Sequence, residues 1–170
     1  MVRMQVHKVG LDPQRQPLVL LADESLKRLL PIWIGNFEAH AITTQLQGRD
    51  FPRPLTHELL LAVLTGLGGR LEEVHVTRLE AGVFYAVLVI AGPSGRLEID
   101  SRPSDALALA VATDVPIYVA QGVLVQAQIL SDDDEAEQLD KFRGLLSGLD
   151  TTVAEPVPED DPAASGEADS

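Results

Sequence analysis

The sequence predicts one α+β domain, in which helices pack against a mixed β-sheet, followed by an acidic C-terminal tail. The 170 residues are 45% hydrophobic, which suffices for one core but hardly for two domains. Segments that alternate polar and apolar residues are interspersed with segments of helical periodicity. Residues 151–170 are rich in Pro, Ala, Glu, Asp and Ser. We therefore predict a domain at 1–130, an acidic amphipathic helical segment at 131–149 and a disordered tail at 150–170.

Strand alternation and turn residues mark the N-terminal elements. The apolar positions from Met4 to Val9 and from Pro17 to Leu21 predict two strands, which a turn at 10–13 joins into a hairpin. The run from Leu30 to Ile34 predicts a short buried strand that ends at Gly35.

The first predicted helix runs from Phe37 to about Gln47, with Asn36 as its N-cap. Its buried face is expected to consist of Ala39, Ile42 and Leu46. Gly48 ends this helix. Two prolines then exclude helical structure from 49–54, because proline lacks an N–H donor and favours an extended conformation in the residue before it.

The second predicted helix begins at Thr56, the expected N-cap, with Leu55 and Leu60 forming a hydrophobic staple. Its buried stripe is expected to consist of Leu60, Val63, Leu64 and Leu67. The glycines at 68 and 69 supply the left-handed conformation that commonly ends a helix.

Three strands are predicted after this helix. The segment 70–79 alternates apolar and polar residues, as a half-exposed strand does. A turn leads to 84–90, which is apolar on both faces and is typical of a central strand. Leu97 and Ile99 alternate with charged residues on the third strand, which places Asp100 on its polar face.

A third helix begins where polar residues meet an apolar run. Pro103 suits the first helical position, where a missing N–H costs nothing, and Ser104 and Asp105 can accept hydrogen bonds from free amide groups. The positive end of the helix and the guanidinium of Arg102 together suit an anion such as phosphate. We expect this helix to end near Thr113.

The remaining elements are short. The segment 115–119 predicts a strand, 123–129 predicts one or two helical turns, and 134–149 could form an amphipathic helix. The acidic run at 132–135 lacks the alternating spacing and the glycine of a calcium loop, which favours a solvated acidic segment.

Charge and composition limit the classes of partner. The net charge is −13, but 13 acidic and 2 basic residues lie from Ser131 onward, so residues 1–130 carry a net charge of only −2. A nearly neutral domain attracts polyanions weakly at long range, so any nucleic acid would be held by weak, local contacts. The lack of cysteine excludes disulfides and thiolate chemistry. The sequence shows no signal peptide pattern and no apolar run of about 20 residues, which predicts a cytoplasmic protein without membrane contact.

Five short segments occur in a characteristic order. They are Leu30–Gly35, Glu38–Ala39, Arg53–Leu60, Phe84–Ala86 and Arg102–Ala106. Their order and spacing resemble the bifunctional nuclease family, from about Met4 to about Val125 and more loosely at 142–146. The resemblance implies an α+β domain that hydrolyses DNA and RNA with little sequence preference. It does not imply which residues are catalytic.

Several familiar hydrolase motifs are absent, including the Gly-x-Ser-x-Gly elbow and the His-Glu-x-x-His helix. Nuclease chemistry needs a water nucleophile, a positive charge near the phosphate and a proton for the leaving oxygen. Carboxylates with Mg²⁺ or Mn²⁺ could supply these functions, and so could histidine and arginine without a metal.

The candidate site residues lie in or beside the matching segments. The catalytic candidates are Glu38, His57, Asp100 and Asp105, and the substrate-binding candidates are Arg53, Arg102 and Ser104. In the metal route, the metal ligands would come from Glu38, Asp100 and Asp105, with Glu58 as a further carboxylate. In the metal-free route, His57 would act with Arg53 and Arg102. A structural role is the alternative for each, since acids are favoured in first helical turns and arginines pair with acids.

A non-enzymatic regulatory or assembly module that binds a protein or an anionic ligand is the second interpretation. The low basic charge and the lack of a stripe of alternating aromatic and basic residues favour it. The apolar helix at 106–112 and the apolar central strand could also contact another subunit, so a homo-oligomer is open.

Overall fold

A computed structural model describes residues 1–49 and 51–127. The segments predicted at 131–149 and 150–170 therefore lie outside the described residues. The described strands are β1 (Val2–Leu11), β2 (Pro17–Ala22), β3 (Leu29–Trp33), β4 (Arg70–Glu80), β5 (Val83–Gly92), β6 (Gly95–Ser101) and β7 (Ile117–Val119). The described helices are α1 (Asn36–Leu46), α2 (Thr56–Gly66), α3 (Pro103–Thr113) and α4 (Gln121–Gln126). None of these helices is long and apolar enough to span a bilayer.

The strands form one mixed sheet with the order β3-β2-β1-β7-β4-β5-β6. β4 and β7 are parallel, and the other neighbouring pairs are antiparallel. The long strand β1 joins the two halves of the sheet, because Val2 to Met4 pair with β7 while Gln5 to Leu11 pair with β2. The predicted α+β class and the N-terminal hairpin are confirmed.

Helix α3 lies at the centre of the helical layer. It contacts α1, α2, β4 and β5, and seven of its 11 residues are buried. The small side chains of Ala106, Ala108 and Ala110 let the neighbouring helices and strands approach its backbone closely. This corrects the expectation that the apolar segment 106–112 is available to another subunit, because most of it is buried within its own domain.

The predicted buried stripe of α2 is wrong for three of its four members and correct for Leu64. Leu61 and Leu64 pack against the core, whereas Leu60 and Val63 are each 50% exposed and Leu67 is 74% exposed. The segment 59–64 is apolar throughout, so helical periodicity does not select one face of it. Contacts with α3 and β4 determine which face of α2 is buried. The opposite face is also apolar, and it is exposed to solvent.

The caps of α1 and α2 also differ from the predictions. Gly35 is the N-cap of α1, where Asn36 was expected, and Leu55 is the N-cap of α2, where Thr56 was expected. The N–H of Leu55 donates to the Glu58 carboxylate at 2.9 Å, which supplies the capping bond from the third helical residue. The predicted inward face of α1 is correct for two of its members, whereas Leu46 is 48% exposed.

The turn between β1 and β2 is organised by Asp12, whose carboxylate is largely buried. It accepts hydrogen bonds from the N–H groups of Gln16 and Gln14 and from Nε1 of Trp33, all within 2.9 Å. The Gln16 and Trp33 hydrogen bonds hold the pKa of Asp12 below its ordinary value, although burial opposes them. Trp33 is the only tryptophan in the chain.

Candidate active site

The first turns of three helices meet at one point of the helical layer. Glu38 is the third residue of α1, His57 the second residue of α2 and Asp105 the third residue of α3. Arg102, the N-cap of α3, joins them. We call Glu38, His57, Arg102 and Asp105 the Arg102 cluster. Each helix has a positive N-terminal end with free N–H groups. The electrostatic fields of the three helix ends therefore all favour an anion at the cluster.

Arg102 holds two carboxylates through three hydrogen bonds. Its Nε and Nη2 donate to the two oxygens of Asp105 at 2.7 and 3.0 Å, and its Nη1 donates to Oε1 of Glu38 at 2.9 Å. A guanidinium carries five N–H donors, so two remain for another acceptor. The Arg102 side chain is 66% exposed, which places those donors within reach of a ligand from solvent.

His57 approaches the same aspartate from the other side. Its Nε2 lies 3.4 Å from Oδ1 of Asp105, and the two side chains are 17% and 30% exposed. Burial opposes ionisation of Asp105, but hydrogen bonds from Arg102 and His57 hold the pKa of Asp105 below its ordinary value. The hydrogen bond and charge of Asp105, with those of Glu38, raise the pKa of Arg102. Asp105 is therefore an ionised carboxylate that orients both a histidine and an arginine.

Gly35 leaves the space that the side chain of Glu38 occupies. A Cβ atom added at Gly35 would overlap Oε2 of Glu38, so any larger residue would displace this carboxylate. The φ of Gly35 is −79°, an angle open to any residue. The glycine is therefore needed for space and not for an unusual backbone conformation.

Glu58 lies beside the cluster but has a structural role. Its carboxylate accepts hydrogen bonds from Nε2 of Gln45 at 3.0 Å and from the N–H of Leu55. These two bonds lower the pKa of Glu58. The sequence interpretation of Glu58 as a residue of the first helical turn is confirmed, and the link through Gln45 ties α1 to α2.

The structure brings together four of the seven candidate site residues and separates the others. Asp100 pairs with Val87 on the face of the sheet that points away from α3, so it does not reach the Arg102 cluster. Arg53 is exposed in the loop before α2 and does not join the cluster's hydrogen bonds. Ser104 is buried in the first turn of α3, next to Asp105. Sequence analysis does not identify Gly35, which leaves space for the Glu38 carboxylate, or Gln45, which binds Glu58 beside the cluster.

Two of the three proposed metal ligands, Glu38 and Asp105, lie close together, whereas Asp100 is on the other face of the sheet. Residues 1–49 and 51–127 contain no group of three or more His, Asp or Glu side chains placed to hold a metal ion. Glu38 and Asp105 share the guanidinium of Arg102 instead. With His57 neutral, the four side chains carry a net charge of −1, since one cation faces two carboxylates. The guanidinium of Arg102 supplies the positive charge between the two carboxylates.

Comparisons with known proteins agree with the resemblance. The family model of the bifunctional nuclease domain matches residues 18–132, which include every residue of the Arg102 cluster. Two uncharacterized proteins of Mycobacterium tuberculosis, one from strain CDC 1551 and one from strain H37Rv, are each 42% identical to this chain over 157 residues. The match covers 85% of this chain and 94% of each relative.

Proposed function

Since the chain belongs to the bifunctional nuclease domain family, we propose that it hydrolyses phosphodiester bonds of DNA and RNA with little sequence preference. The observation that carries the proposal is the convergence of three helix N-termini on Arg102 and His57. Positive helix ends and a guanidinium bind phosphate, and a histidine held by a carboxylate can transfer a proton. The cluster contains both functions.

Substrate binding would use the N–H donors of Arg102 that Asp105 does not engage. A phosphate is a better bidentate partner for arginine than the single Glu38 oxygen, so we expect the substrate to replace Glu38 on Nη1. Asp105 keeps Nε and Nη2 in place during this exchange. Because these contacts touch phosphate and not base edges, they carry no sequence preference. The partners are DNA and RNA, held by a few local contacts.

Proton transfer would use His57. Its Nε2 faces Asp105, so Nδ1 is the ring nitrogen left for the substrate. Nδ1 takes a proton from the attacking water, whose oxygen forms a bond to phosphorus. The bond between phosphorus and the leaving oxygen breaks, and the proton passes from the imidazolium to that oxygen. Arg102 stabilises the negative charge that develops on the phosphate.

A non-enzymatic assembly module is the second candidate function. The observation that favours it is the apolar face of α2, whose Leu60, Val63 and Leu67 are exposed. In this alternative the Arg102 cluster is a structural ion-pair network that joins three helices. The cytoplasmic location predicted from the sequence stays a prediction under both functions.

Cleavage of labelled single-stranded DNA, double-stranded DNA and RNA by highly purified protein tests the proposal. We expect His57→Ala to lower the cleavage rate by about 100-fold or more, with EDTA having no effect. The matched control is His75→Ala, because His75 also pairs with a carboxylate, at 2.7 Å from Glu73, and its side chain is 18% exposed. Both variants are first shown to be folded by circular dichroism.

Each outcome decides between the candidates. Loss of cleavage in His57→Ala and not in His75→Ala supports the nuclease and the role of His57. Cleavage that EDTA abolishes contradicts the metal-free route and returns Glu38 and Asp105 to the role of metal ligands. Cleavage that is absent, or equal in both folded variants, contradicts the proposed site and favours the assembly module.

A further inference from the structure

Strand β6 and the outer face of α2 form an apolar surface at one edge of the sheet. The exposed side chains are Leu60, Val63 and Leu67 on α2 and Leu97 and Ile99 on β6, each between 45% and 74% exposed. We call these five residues the α2–β6 surface. Contiguous exposed apolar patches of this kind mark interaction sites in soluble proteins.

The turn that precedes β6 lies close to the C-terminal end of α2. At the C-terminal end of α2, a Cβ on Gly68 would lie 3.2 Å from Pro93 in the turn that precedes β6. At the N-terminal end, His57 reaches Asp105, shortly after β6 ends. Leu97 and Ile99 pair with Ile90 and Leu88, which belong to the core on the helical face of the sheet. Leu97 and Ile99 therefore point to the helical side of the sheet, on which α2 packs through Leu61 and Leu64.

The backbone of β6 offers an unused row of hydrogen-bonding groups. β6 is the last strand in the sheet order, and no described strand pairs with its outer side. Gly92 and Gly95 flank a two-residue turn, so they exchange hydrogen bonds with each other. Hydrogen-bonded and non-hydrogen-bonded residue pairs alternate along an antiparallel ladder. The N–H and C=O groups of Arg96, Glu98 and Asp100 therefore point outward, away from β5. An open edge of this kind is a template for pairing with another strand.

We propose that this edge binds a second copy of the chain, with the two β6 strands antiparallel and a two-fold axis at Glu98. Glu98 is the middle residue of β6, so this register pairs all seven residues of the strand. It places Arg96 opposite the partner's Asp100 and Leu97 opposite the partner's Ile99. Each arginine thus meets an aspartate of the partner, while Glu98 faces its own copy at the axis. A register centred on Ile99 would instead place Glu98 opposite the partner's Asp100.

The same symmetry joins the helices. A two-fold axis perpendicular to the sheet keeps both helical layers on one side, so the two α2 helices lie beside each other above the paired β6 strands. Leu60, Val63 and Leu67 then pack against their copies and cover Leu97 and Ile99. Arg102 lies four residues from the axis, so the two Arg102 clusters are about 25 Å apart and each is complete within one protomer.

Charge reversal tests the interface by sedimentation at a series of protein concentrations. The wild-type protein is expected to approach twice the 18.3 kDa monomer mass as concentration rises. Arg96→Glu places an acid opposite the partner's Asp100, and Asp100→Arg places a base opposite the partner's Arg96. Each variant is expected to weaken dimerisation about tenfold, because the two-fold axis makes every repulsive contact occur twice. The double variant restores complementarity and is expected to dimerise like the wild type. Arg28→Glu, at an exposed position just before β3 on the opposite edge, is the control.

The register is tested by introducing a cysteine at Glu98. The chain has no cysteine of its own, so any disulfide must join the two introduced residues. Only a register centred on Glu98 places residue 98 directly opposite its copy, so Glu98→Cys is expected to form a disulfide-linked dimer under mild oxidation. Glu98→Gln removes a like-charge pair and is expected to tighten the dimer severalfold. A monomeric wild-type protein at all concentrations overturns the proposal. A dimer whose affinity is unchanged by the charge reversals overturns this interface. So does a dimer of Glu98→Cys that forms no disulfide between its two copies.

Discussion

In the described residues a histidine, a carboxylate and an arginine meet in two clusters, and helix N-termini form only one of them. In the Arg102 cluster, His57 and Asp105 are 48 residues apart in sequence and come from different helices. On the opposite face of the sheet, His75 lies 2.7 Å from Glu73, two residues away on β4, and Arg96 of β6 lies 3.4 Å from the same carboxylate. The two clusters share residue types and differ in what holds them.

The difference lies in the surroundings. Asp105 and Glu38 lie in first helical turns, and Arg102 is fixed by both of them. Glu73 and His75 project from one strand whose dipole is small, with Tyr118 packed edge-on against the histidine ring. The presence of a histidine, an acid and an arginine is therefore a weak sign of a site. Convergence of helix ends from distant parts of the chain is a stronger one.

The largest expected contrast between the clusters comes from their arginines. Arg102→Ala removes the phosphate ligand and leaves Glu38 and Asp105 without their shared cation, so we expect cleavage to fall by about 100-fold to 1,000-fold. Arg96→Ala, made in the Glu73 cluster, is expected to leave the cleavage rate per protomer unchanged. Cleavage assays on the two folded variants measure this contrast, and equal losses would remove the distinction between the clusters.

The carboxylates give a smaller contrast. Asp105→Asn keeps the shape of the side chain but removes the charge that orients His57 and Arg102, so we expect kcat to fall by about tenfold with a smaller change in KM. Glu73→Gln makes the matched change beside His75 and is expected to leave both constants unaltered. A change in KM with constant kcat in Asp105→Asn would show that Asp105 acts on binding instead of on the reaction.

Acid pH is expected to weaken the ion pairs of Asp105 in the Arg102 cluster. The pKa of Asp105 is below its ordinary value of 3.8, so its ion pairs stabilise the folded state above that pH and are lost as pH falls through the lower folded pKa. The free energy of unfolding of the wild type is therefore expected to exceed that of Asp105→Asn at neutral pH. Denaturant titrations at pH 7 and below pH 3.8 should show this difference shrinking, and a constant difference would contradict the ion-pair account.

The smallest expected effect comes from Gly35. Gly35→Ala displaces the Glu38 carboxylate and loosens its bond to Arg102, so we expect a severalfold change in cleavage with little loss of stability. Gly66→Ala is the control, since a Cβ there meets open space within α2 and is expected to raise the free energy of unfolding by about 0.5–1 kcal/mol. An unchanged cleavage rate in Gly35→Ala would show that Glu38 does not take part.

Local signals in the sequence predict the elements well. α3 begins at Pro103 and ends at Thr113, as expected, because the proline and the apolar run that follows it are unambiguous. The hairpin of β1 and β2 and the strands β4 and β5 are also where alternation places them. These features depend on residues that are close together in the chain.

Predictions that depend on neighbours across the fold succeed less often. Periodicity could not orient α2, because its apolar run covers more than one face, and Leu60 therefore lies in solvent. Alternation placed Asp100 on a polar face but could not show that this face is opposite α3. The four members of the Arg102 cluster can be selected because they are reactive residue types in or beside the segments that resemble the family. Gly35 cannot be selected in this way, because its role depends on the position of Glu38.

The hydrogen bond between Trp33 and Asp12 determines what intrinsic fluorescence reports in this protein. Trp33 is the only indole fluorophore, and its Nε1 donates to a carboxylate whose pKa is lowered by this bond and by that of Gln16. Protonation of Asp12 in acid removes the charge that accepts this hydrogen bond, so the emission of Trp33 is expected to change as pH falls through the lowered pKa of Asp12. Far-ultraviolet circular dichroism, recorded in the same titration, separates this local change in the β1–β2 turn from global unfolding.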